Sequence, residues 1–312
     1  MFGLFLILVI LTVVILWAAK FCYRIVFYNR NSKEQDVYVV PPGEQYEKIA
    51  DAMLARIHEL NQLPFEQIYI TARDGVKLAA RYYHFKDNSP VQIQFHGYRG
   101  NGIREFSGGY AIAKAAGFNV IVVDERAHGR SGGHTITFGI KERYDCVDWA
   151  NYACKRFGED TPIILSGVSM GAATVLMASE LGLPHNVAAI TADCPYSSPG
   201  AIIRKVCRGM RLPAYLVYPF VILGARIFGG FNLREASALK AVQNTNIPIL
   251  LIHGDDDRFV PYQMSHQIYN ACTGPCELVT IPGAGHGISC YVDQSRYTHA
   301  LKKFFKSHGL IA

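Results

Sequence analysis

The fold is decided by Pro162-Ile-Ile-Leu-Ser-Gly-Val-Ser-Met-Gly-Ala-Ala173. Its first residues are apolar and predict a buried strand, and its last ones are small residues that predict the start of a helix. Between them, Gly167 and Gly171 flank Ser169 in a G-x-S-x-G pattern. A serine on so sharp a strand-to-helix turn has a strained backbone, and the glycines allow a close approach that a Cβ would block. The pattern therefore predicts a serine hydroxyl exposed above the carboxyl end of a strand.

A serine hydroxyl at this turn needs other groups before it can act as a nucleophile. The first turn of the following helix directs N–H groups at the site, and we expect the Met170 N–H to be the first donor to an oxyanion. An imidazole must accept the serine proton, and a carboxylate must orient that imidazole. Asp257 follows a buried apolar run and His286 lies in a glycine-rich loop near the C-terminus, so both are candidates. Asp193, at the end of another apolar run, is the alternative acid.

Short strand-like runs alternate with helical runs through most of the chain. The predicted strands are 67–71, 78–85, 91–95, 119–123, 163–166, 188–192, 249–252 and 277–280. Several are continuously apolar, which is typical of strands covered on both faces, and the alternation predicts an α/β fold with a mostly parallel, doubly wound sheet. The Asp74-Gly75 turn predicts an antiparallel hairpin at its start. Residues 44–61 carry apolar side chains at helical spacing and predict a helix that leads into the domain.

The N-terminus carries the clearest membrane signal. Residues 2–19 are uncharged and rich in Leu, Ile and Val, and about 18 to 22 helical residues cross a bilayer core. Because no basic side chain precedes the run and no convincing cleavage site follows it, we expect one uncleaved membrane anchor rather than a signal peptide. Basic residues follow the run at Lys20, Arg24, Arg30 and Lys33. Their positions predict a single-pass membrane protein with its catalytic domain in the cytoplasm.

Composition excludes several other classes of protein. Half of the 312 residues are apolar and 18% are charged, which is typical of a folded chain with a sizeable core. The net charge of +6 is spread along the chain, so we expect no nucleic-acid partner. The 8 cysteines are scattered and are interpreted as free thiols. Cys272 and Cys276 could bridge or bind a metal, but no second Cys/His pair has zinc-like spacing, and we expect no metal or cofactor.

Four further motifs carry a resemblance to a known family. They are the H-G loop Phe95-His-Gly-Tyr-Arg-Gly-Asn101, the turn Asp124-Glu-Arg-Ala-His-Gly-Arg-Ser131, the H-G-x-x-D-x-x-V-P run from His253 to Pro261, and the G-x-G-H run that ends at His286. With the serine pentapeptide they resemble an α/β-hydrolase of the group that contains monoglyceride-lipase-like, prolyl-aminopeptidase-like and small esterase-like members. The match runs from about Phe65 to the C-terminus, and the order Ser, Asp, His is that of the family.

The resemblance implies a role for each candidate site residue. Ser169 is expected to be the nucleophile, Asp257 the orienting acid and His286 the general base. The backbone N–H groups of Tyr98 and Met170 are expected to form the oxyanion hole. Three other histidines of these motifs are interpreted as loop-shaping hydrogen-bonding groups: His96, His128 and His253. Ala127 stands where many relatives have glycine, which questions the backbone geometry of that turn.

The expected organisation is an anchor at 1–23, a linker and leading helix at 24–64, and a hydrolase domain at 65–312 with a helical lid at about 195–245. The lid begins with a basic cluster, Arg204, Lys205, Arg208 and Arg211, followed by an apolar stretch at 212–231. One interpretation is a small cap with a solvated basic edge. The other is an acyl pocket whose basic edge rests against anionic lipid headgroups.

These features predict a serine hydrolase that cleaves a carboxylic ester or thioester through an acyl-enzyme intermediate. Under the second interpretation of the lid, lipid-like esters taken from the bilayer are candidate substrates. A prolyl-aminopeptidase-like peptidase or an amidase is the enzymatic alternative, and a catalytically silent, membrane-tethered binding module is the alternative outside enzymes. The acyl group, the leaving group and the oligomeric state are not determined at this level.

Overall fold

The structure is a computed structural model that describes residues 1–30 and 36–311. Lys33, one of the basic residues used for the orientation, lies outside the described residues. The strands are β1 (Glu66–Thr71), β2 (Lys77–Tyr83), β3 (Val91–Phe95), β4 (Asn119–Asp124), β5 (Ile163–Val168), β6 (Val187–Asp193), β7 (Ile249–Gly254) and β8 (Cys276–Ile281). The helices are α1 (Phe2–Val26), α2 (Glu44–Glu47), α3 (Ala50–Gln62), α4 (Gly102–Phe106), α5 (Tyr110–Ala116), α6 (Glu142–Phe157), α7 (Met170–Ala178), α8 (Pro199–Gly209), α9 (Ala214–Ile227), α10 (Ala238–Ala241), α11 (Gln263–Ala271), α12 (Ser289–Val292) and α13 (Gln294–Ser307).

The strands form one 8-stranded sheet in the order β1-β2-β4-β3-β5-β6-β7-β8. β1 pairs antiparallel with β2, and β2 pairs antiparallel with β4. All the other pairings are parallel. The prediction of an α/β fold with a mostly parallel sheet and an antiparallel hairpin at its start is confirmed. The carboxyl ends of β3, β5, β6 and β7 lie side by side at one edge, where open α/β sheets place their ligands.

Both faces of the sheet are covered. Along β4, Ile121 and Val123 belong to one buried cluster, whereas the alternate residues Val120 and Val122 belong to the other. The first cluster includes Trp149 of α6 and the buried side chains of α7. The second includes the aromatic side chains of α13. This double cover is the physical reason for the continuously apolar strands in the sequence.

The predicted leading helix is interrupted. The spacing predicts one helix over 44–61, but α2 ends at Glu47 and α3 begins at Ala50. Ile49 leaves the helical conformation, with φ −115° and ψ 5°. Tyr46 donates a hydrogen bond from its hydroxyl to the His286 carbonyl at 2.9 Å, which ties α2 to the loop that carries the candidate base. The apolar side chains of α3 and the Tyr46 ring of α2 still pack against the same buried cluster.

Helix α1 is long and apolar enough to cross a membrane by length and composition. It extends past the expected boundary at residue 23 and ends at Val26. The chain directly after it is packed against the α/β domain, because Phe27 is fully buried between the rings of Phe138 and Phe231. Tyr28 then forms a β-bridge with Thr135. The expectation of a linker that starts at residue 24 is therefore wrong for the residues that follow α1.

The segment between β6 and β7 carries three helices, α8, α9 and α10. Ser198 caps α8 by accepting a hydrogen bond from Ala201 N, and Pro199 occupies the first turn, where a missing N–H costs nothing. Helix α9 contains Pro219 and packs along α1. At Gly224, an added Cβ would lie 2.4 Å from the Ala19 carbonyl oxygen of α1. The two helices therefore cross with their backbones in close contact.

Candidate active site

Ser169 lies on a tight turn between β5 and α7. Its backbone has φ 54° and ψ −111°, a conformation that side-chain-bearing residues rarely adopt. An added Cβ on Gly167 would lie 2.3 Å from the backbone carbon of Gly171, and one on Gly171 would lie 2.0 Å from the carbonyl oxygen of Phe95. Both glycines are therefore required by close backbone approach. The turn places the serine side chain at the carboxyl edge of the sheet, as the pentapeptide predicts, but Ser169 is buried there and not exposed.

The structure brings Ser169, His286 and Asp257 into one hydrogen-bonded chain. His286 Nε2 lies 2.9 Å from Ser169 Oγ, and His286 Nδ1 lies 2.7 Å from Asp257 Oδ2. These three residues come from loops after β5, β7 and β8, and up to 117 positions separate them in the sequence. Both distances are within the range in which an imidazole can accept a serine proton while a carboxylate orients it.

The Asp257 carboxylate is held by its own loop. Oδ1 accepts hydrogen bonds from the backbone N–H groups of Phe259 and Val260, at 2.9 and 2.8 Å. Burial alone would raise the pKa of Asp257, but hydrogen bonds from His253 and His286 hold that pKa well below its ordinary value. The carboxyl is therefore ionised at neutral pH, which is the state that orients an imidazole.

His253 is a second histidine on the same carboxylate. Its Nε2 lies 2.9 Å from the Val260 carbonyl oxygen and 3.2 Å from Asp257 Oδ2, while its Nδ1 lies 2.6 Å from Ser265 Oγ. Because a carbonyl oxygen can only accept, Nε2 carries the proton and Nδ1 accepts from the serine hydroxyl. His253 therefore shapes the loop that presents Asp257, in agreement with the interpretation of the motif, and its contact with the carboxylate itself is a feature that sequence reasoning missed.

Asp193, the alternative acid, occupies a different position. It is buried at the end of β6, where its backbone carbonyl accepts from Ser169 N at 2.8 Å. Its carboxylate accepts a hydrogen bond from Ser289 Oγ at 3.3 Å. Burial raises the pKa of Asp193 to about 6. Among the described residues, the carboxylate hydrogen-bonded to His286 is that of Asp257 and not that of Asp193.

The two expected oxyanion donors flank the serine. Met170 is the first residue of α7, and Tyr98 lies in the loop after β3. Among the described residues, neither backbone N–H has a protein acceptor. Both can therefore donate to a bound oxyanion.

Glu105 supports the loop that carries Tyr98, and sequence reasoning missed it. Its Oε2 accepts a hydrogen bond from the backbone N–H of Gly97 at 2.5 Å. An added Cβ on Gly100 would lie 1.9 Å from Glu105 Oε1, so the loop is folded closely around the carboxyl group. Burial raises the pKa of Glu105. No periodic pattern signals this contact, although the H-G loop followed by a short helix could have suggested a polar support.

His96 and His128 shape two adjacent loops. His96 Nε2 accepts from Glu125 N at 3.1 Å, and His128 Nε2 accepts from Arg99 N at 3.0 Å. Burial lowers the pKa of His96 well below its ordinary value and that of His128 to about 4, so both rings are neutral. These are the loop-shaping roles expected from the sequence.

The turn after β4 contains an alanine in the left-handed backbone region. Ala127 adopts a left-handed φ of 63° and is fully buried. Its neighbour Arg126 forms a bidentate ion pair with Asp145 of α6 at 2.6 and 2.5 Å, and a further contact with Asp74 at 2.8 Å. The buried pair holds the turn, and the left-handed φ of Ala127 is a source of local backbone strain.

Two cavities meet at Ser169. One is apolar, with a volume of about 360 Å³, and lies between α1, α8 and α9. The other, also of about 360 Å³, is more polar, and its lining includes Arg104, Glu105 and His286. Such volumes are at the lower end of the range of small-molecule sites, about 300–1,000 Å³.

The cysteines add no separate metal centre within the described part of the chain. The one group of three candidate ligands there is Cys194, Asp257 and His286, whose ligand atoms lie within 4.8 Å of one another. Two of these groups already bind each other in the serine–histidine–aspartate chain. Cys272 and Cys276 lie within hydrogen-bonding reach of each other and are free thiols.

Comparison with known proteins agrees with this fold and site. Residues 93–216 match a family model described as "alpha/beta hydrolase fold", and residues 223–290 match one described as "Serine aminopeptidase, S33". The esterase Pf2001 of Pyrococcus furiosus has a similar structure, with a TM-score of 0.63 and 24% sequence identity over 80% of this chain and 95% of that one. The fold, the motifs and these matches together identify the chain as an α/β hydrolase.

Curated relatives are similar over only part of their lengths. The uncharacterized protein YqkD of Bacillus subtilis is 27% identical over 60% of this chain and 62% of its own. The lysophosphatidylserine lipase ABHD12 of Rattus norvegicus is 25% identical over 59% of this chain and 45% of its own. The chain thus spans less than two thirds of the length of these two relatives, and the activity that the name of the lipase gives is a statement about that protein.

Proposed function

We propose that the protein hydrolyses carboxylic esters or thioesters of single acyl chains, with Ser169 as nucleophile, His286 as general base and Asp257 as the orienting acid. The observation that carries the proposal is the hydrogen-bonded chain from Ser169 Oγ through His286 to Asp257, at 2.9 and 2.7 Å. Each step of an acyl transfer can be assigned to a group of this chain.

In the first half of the reaction, His286 Nε2 takes the proton of Ser169 Oγ as the oxygen attacks the substrate carbonyl. The carbonyl oxygen becomes an oxyanion that accepts hydrogen bonds from the N–H groups of Tyr98 and Met170. The intermediate collapses, the bond to the alcohol or thiol breaks, and His286 protonates the leaving group. In the second half, water gives a proton to His286 as it attacks the acyl-serine ester. His286 then returns this proton to Ser169 Oγ as the bond to the serine breaks and the carboxylic acid leaves.

The two cavities suggest how a substrate lies at the serine. An acyl chain fits the apolar cavity, whose lining includes Ile202, Val206 and Val221. The alcohol part of the ester then occupies the polar cavity beside Arg104 and Glu105. Hydrophobic burial of about 0.8 kcal/mol per methylene favours this orientation over the reverse. The names of two similar proteins, an esterase and a lysophosphatidylserine lipase, support an ester substrate.

Peptidase activity is the second candidate, because residues 223–290 match the serine aminopeptidase model. An aminopeptidase needs a carboxylate that can bind the free amino group of its substrate. In the polar cavity, Glu105 is engaged by the Gly97 N–H, and burial raises its pKa, so it is a poor partner for an ammonium group. Ester hydrolysis is therefore the better supported of the two.

The test combines a fluorophosphonate probe with two substrate series, acyl esters of graded chain length and amino-acid anilides. We expect the probe to label the wild-type protein and not Ser169→Ala, and we expect turnover of the esters to exceed that of the anilides. Faster turnover of the anilides would assign the peptidase activity instead. Folded protein that neither reacts with the probe nor turns over either series would be the silent binding module.

A further inference from the structure

The apolar cavity beside Ser169 has a wall that belongs to the N-terminal helix. Its lining residues come from α1 as well as from the lid helices, and those of α1 are Phe21, Cys22, Ile25 and Val26. Opposite them lie Cys207 of α8 and Val217 of α9. The last turns of α1 are thus a side of the cavity that also contains Ser169.

Side-chain contacts hold this wall in a fixed position on the lid. The Tyr23 ring packs at a tilt of 42° against the Phe228 ring, with ring centroids 6.0 Å apart, and its hydroxyl lies 2.7 Å from Thr135 Oγ1. The close approach of Gly224 to Ala19 brings α9 against the same stretch of α1. The wall is therefore packed against the rest of the fold through contacts within the chain.

The end of α1 is also bonded to the loop that carries the proposed oxyanion donor. Helix termini leave carbonyl groups without helical partners. Here the Val26 carbonyl accepts a hydrogen bond from Tyr98 Oη at 2.8 Å, and the Ile25 carbonyl accepts one from Arg99 Nη2 at 2.8 Å. The same tyrosine therefore connects the helix end to the proposed oxyanion hole.

We propose that α1 forms a specificity-determining wall of the acyl site, in which the Cys22 and Val26 side chains limit the length of the acyl chain that the enzyme accepts. The inference rests on the proposed ester hydrolysis. Further up, α1 is exposed and apolar, as are Met210, Leu212 and Leu216 of the lid. An acyl chain can therefore pass from the bilayer into the cavity along continuous apolar surface.

The experiment measures kcat/KM for p-nitrophenyl esters from butanoyl to hexadecanoyl with the full chain in detergent micelles. We expect Cys22→Trp to lower the ratio of hexadecanoyl to butanoyl turnover, by about fourfold for each methylene group that the indole excludes. Val26→Ala enlarges the cavity and is expected to raise the same ratio. Val14→Trp places the same indole on the exposed part of α1 and is the matched control, with an unchanged ratio.

Fluorophosphonate labelling of Ser169 reports whether each variant is folded. A wild-type chain-length profile in labelled Cys22→Trp and in labelled Val26→Ala would overturn the proposal. If Cys22→Trp is not labelled, the profile of Val26→Ala decides. Failure of the proposed function looks different, because the wild-type protein itself would then turn over no ester.

Discussion

At the scale of single residues, the Asp257 carboxylate is the most constrained group of the site. Two backbone N–H groups bind one oxygen, and two imidazoles approach the other. An asparagine at this position would keep the shape of the loop but would remove the negative charge that stabilises the imidazolium formed during the reaction. Substitution of Asp257 therefore tests whether the hydrogen-bonded chain of Ser169, His286 and Asp257 is a catalytic triad.

We expect Asp257→Asn to lower kcat by about 10⁴-fold, the loss that removal of a triad carboxylate causes in serine proteases. The measurement is kcat for a soluble short-chain ester. Asp193→Asn is the matched control, since Asp193 is also buried at the carboxyl edge of the sheet but is not hydrogen-bonded to His286. A larger loss in Asp193→Asn than in Asp257→Asn would move the acid role to Asp193.

The raised pKa of Asp193 predicts that the stability of the folded protein depends on pH. Burial raises the pKa of Asp193 to about 6 in the folded protein, above about 3.9 in an unfolded chain. Between those values the folded protein binds a proton that the unfolded chain releases, so the free energy of unfolding falls as pH rises from about 4 to about 6. We expect the Asp193→Asn variant not to lose this part of the free energy of unfolding, because asparagine does not titrate.

The measurement is the thermal midpoint in detergent across that pH range, for the wild type and for Asp193→Asn. The difference between the two proteins should grow with rising pH and level off above about pH 6. A difference that stays constant with pH would show that Asp193 releases its proton at an ordinary pKa.

At the scale of elements, the contact between α1 and α9 depends on one small residue. Gly224 leaves no room for a Cβ, which would meet the Ala19 carbonyl oxygen at 2.4 Å. The backbone oxygen cannot rotate away as a flexible side chain can, so the helices must move apart when a methyl group is added. Substitution of Gly224 therefore tests whether α1 and the lid helices are held together by this contact.

We expect Gly224→Ala to loosen the lid and to speed trypsin cleavage after the exposed Arg208 and Arg211. Gly209→Ala is the matched control, because an added Cβ at Gly209 in α8 meets no atom within 4 Å. Digestion of the full chain in detergent, followed by mass spectrometry, gives the rates. Equal cleavage rates in the two variants would mean that the close approach does not hold the lid.

The basic cluster of the lid divides into two pairs. Arg204 lies over the Tyr218 ring at 4.9 Å, and Lys205 donates a hydrogen bond to the Arg258 carbonyl, so both are used within the protein. Arg208 and Arg211 are exposed. An interaction with anionic headgroups would therefore depend on the second pair alone.

At the scale of the whole molecule, α1, the exposed apolar residues of the lid and these two arginines suggest one membrane-facing surface. We expect Arg208→Gln combined with Arg211→Gln to lower activity on vesicles that contain phosphatidylserine, but not on a soluble short-chain ester. Lys302→Gln combined with Lys303→Gln removes the same charge from exposed positions of α13. An equal loss in both double variants, or on both substrates, would contradict a lid that contacts the bilayer.

The orientation of the chain is also a property of the whole molecule. Lys20 and Arg24 lie in the last turns of α1 and Arg30 follows it, so the positive-inside tendency favours a cytoplasmic hydrolase domain. In sealed, right-side-out vesicles prepared from expressing cells, we expect no trypsin cleavage after Arg208 and Arg211. Cleavage should begin only when detergent opens the membrane. Cleavage in sealed vesicles would place the domain on the outer side.

The sequence by itself determined the features that local patterns encode. Continuously apolar runs give strands buried on both faces, and the glycines around Ser169 give the sharp turn, because each effect acts over a few neighbouring residues. Strand ends alone left both Asp257 and Asp193 as candidate acids, and the resemblance to the hydrolase motifs selected Asp257 and His286. The tertiary structure alone decided that His253 contacts the Asp257 carboxylate, that Glu105 supports the loop of Tyr98, and that α1 continues past residue 23 to form a cavity wall. Those contacts join residues that are far apart, such as Tyr98 and Val26 at a separation of 72 positions, and the packing that creates them has no period in the chain.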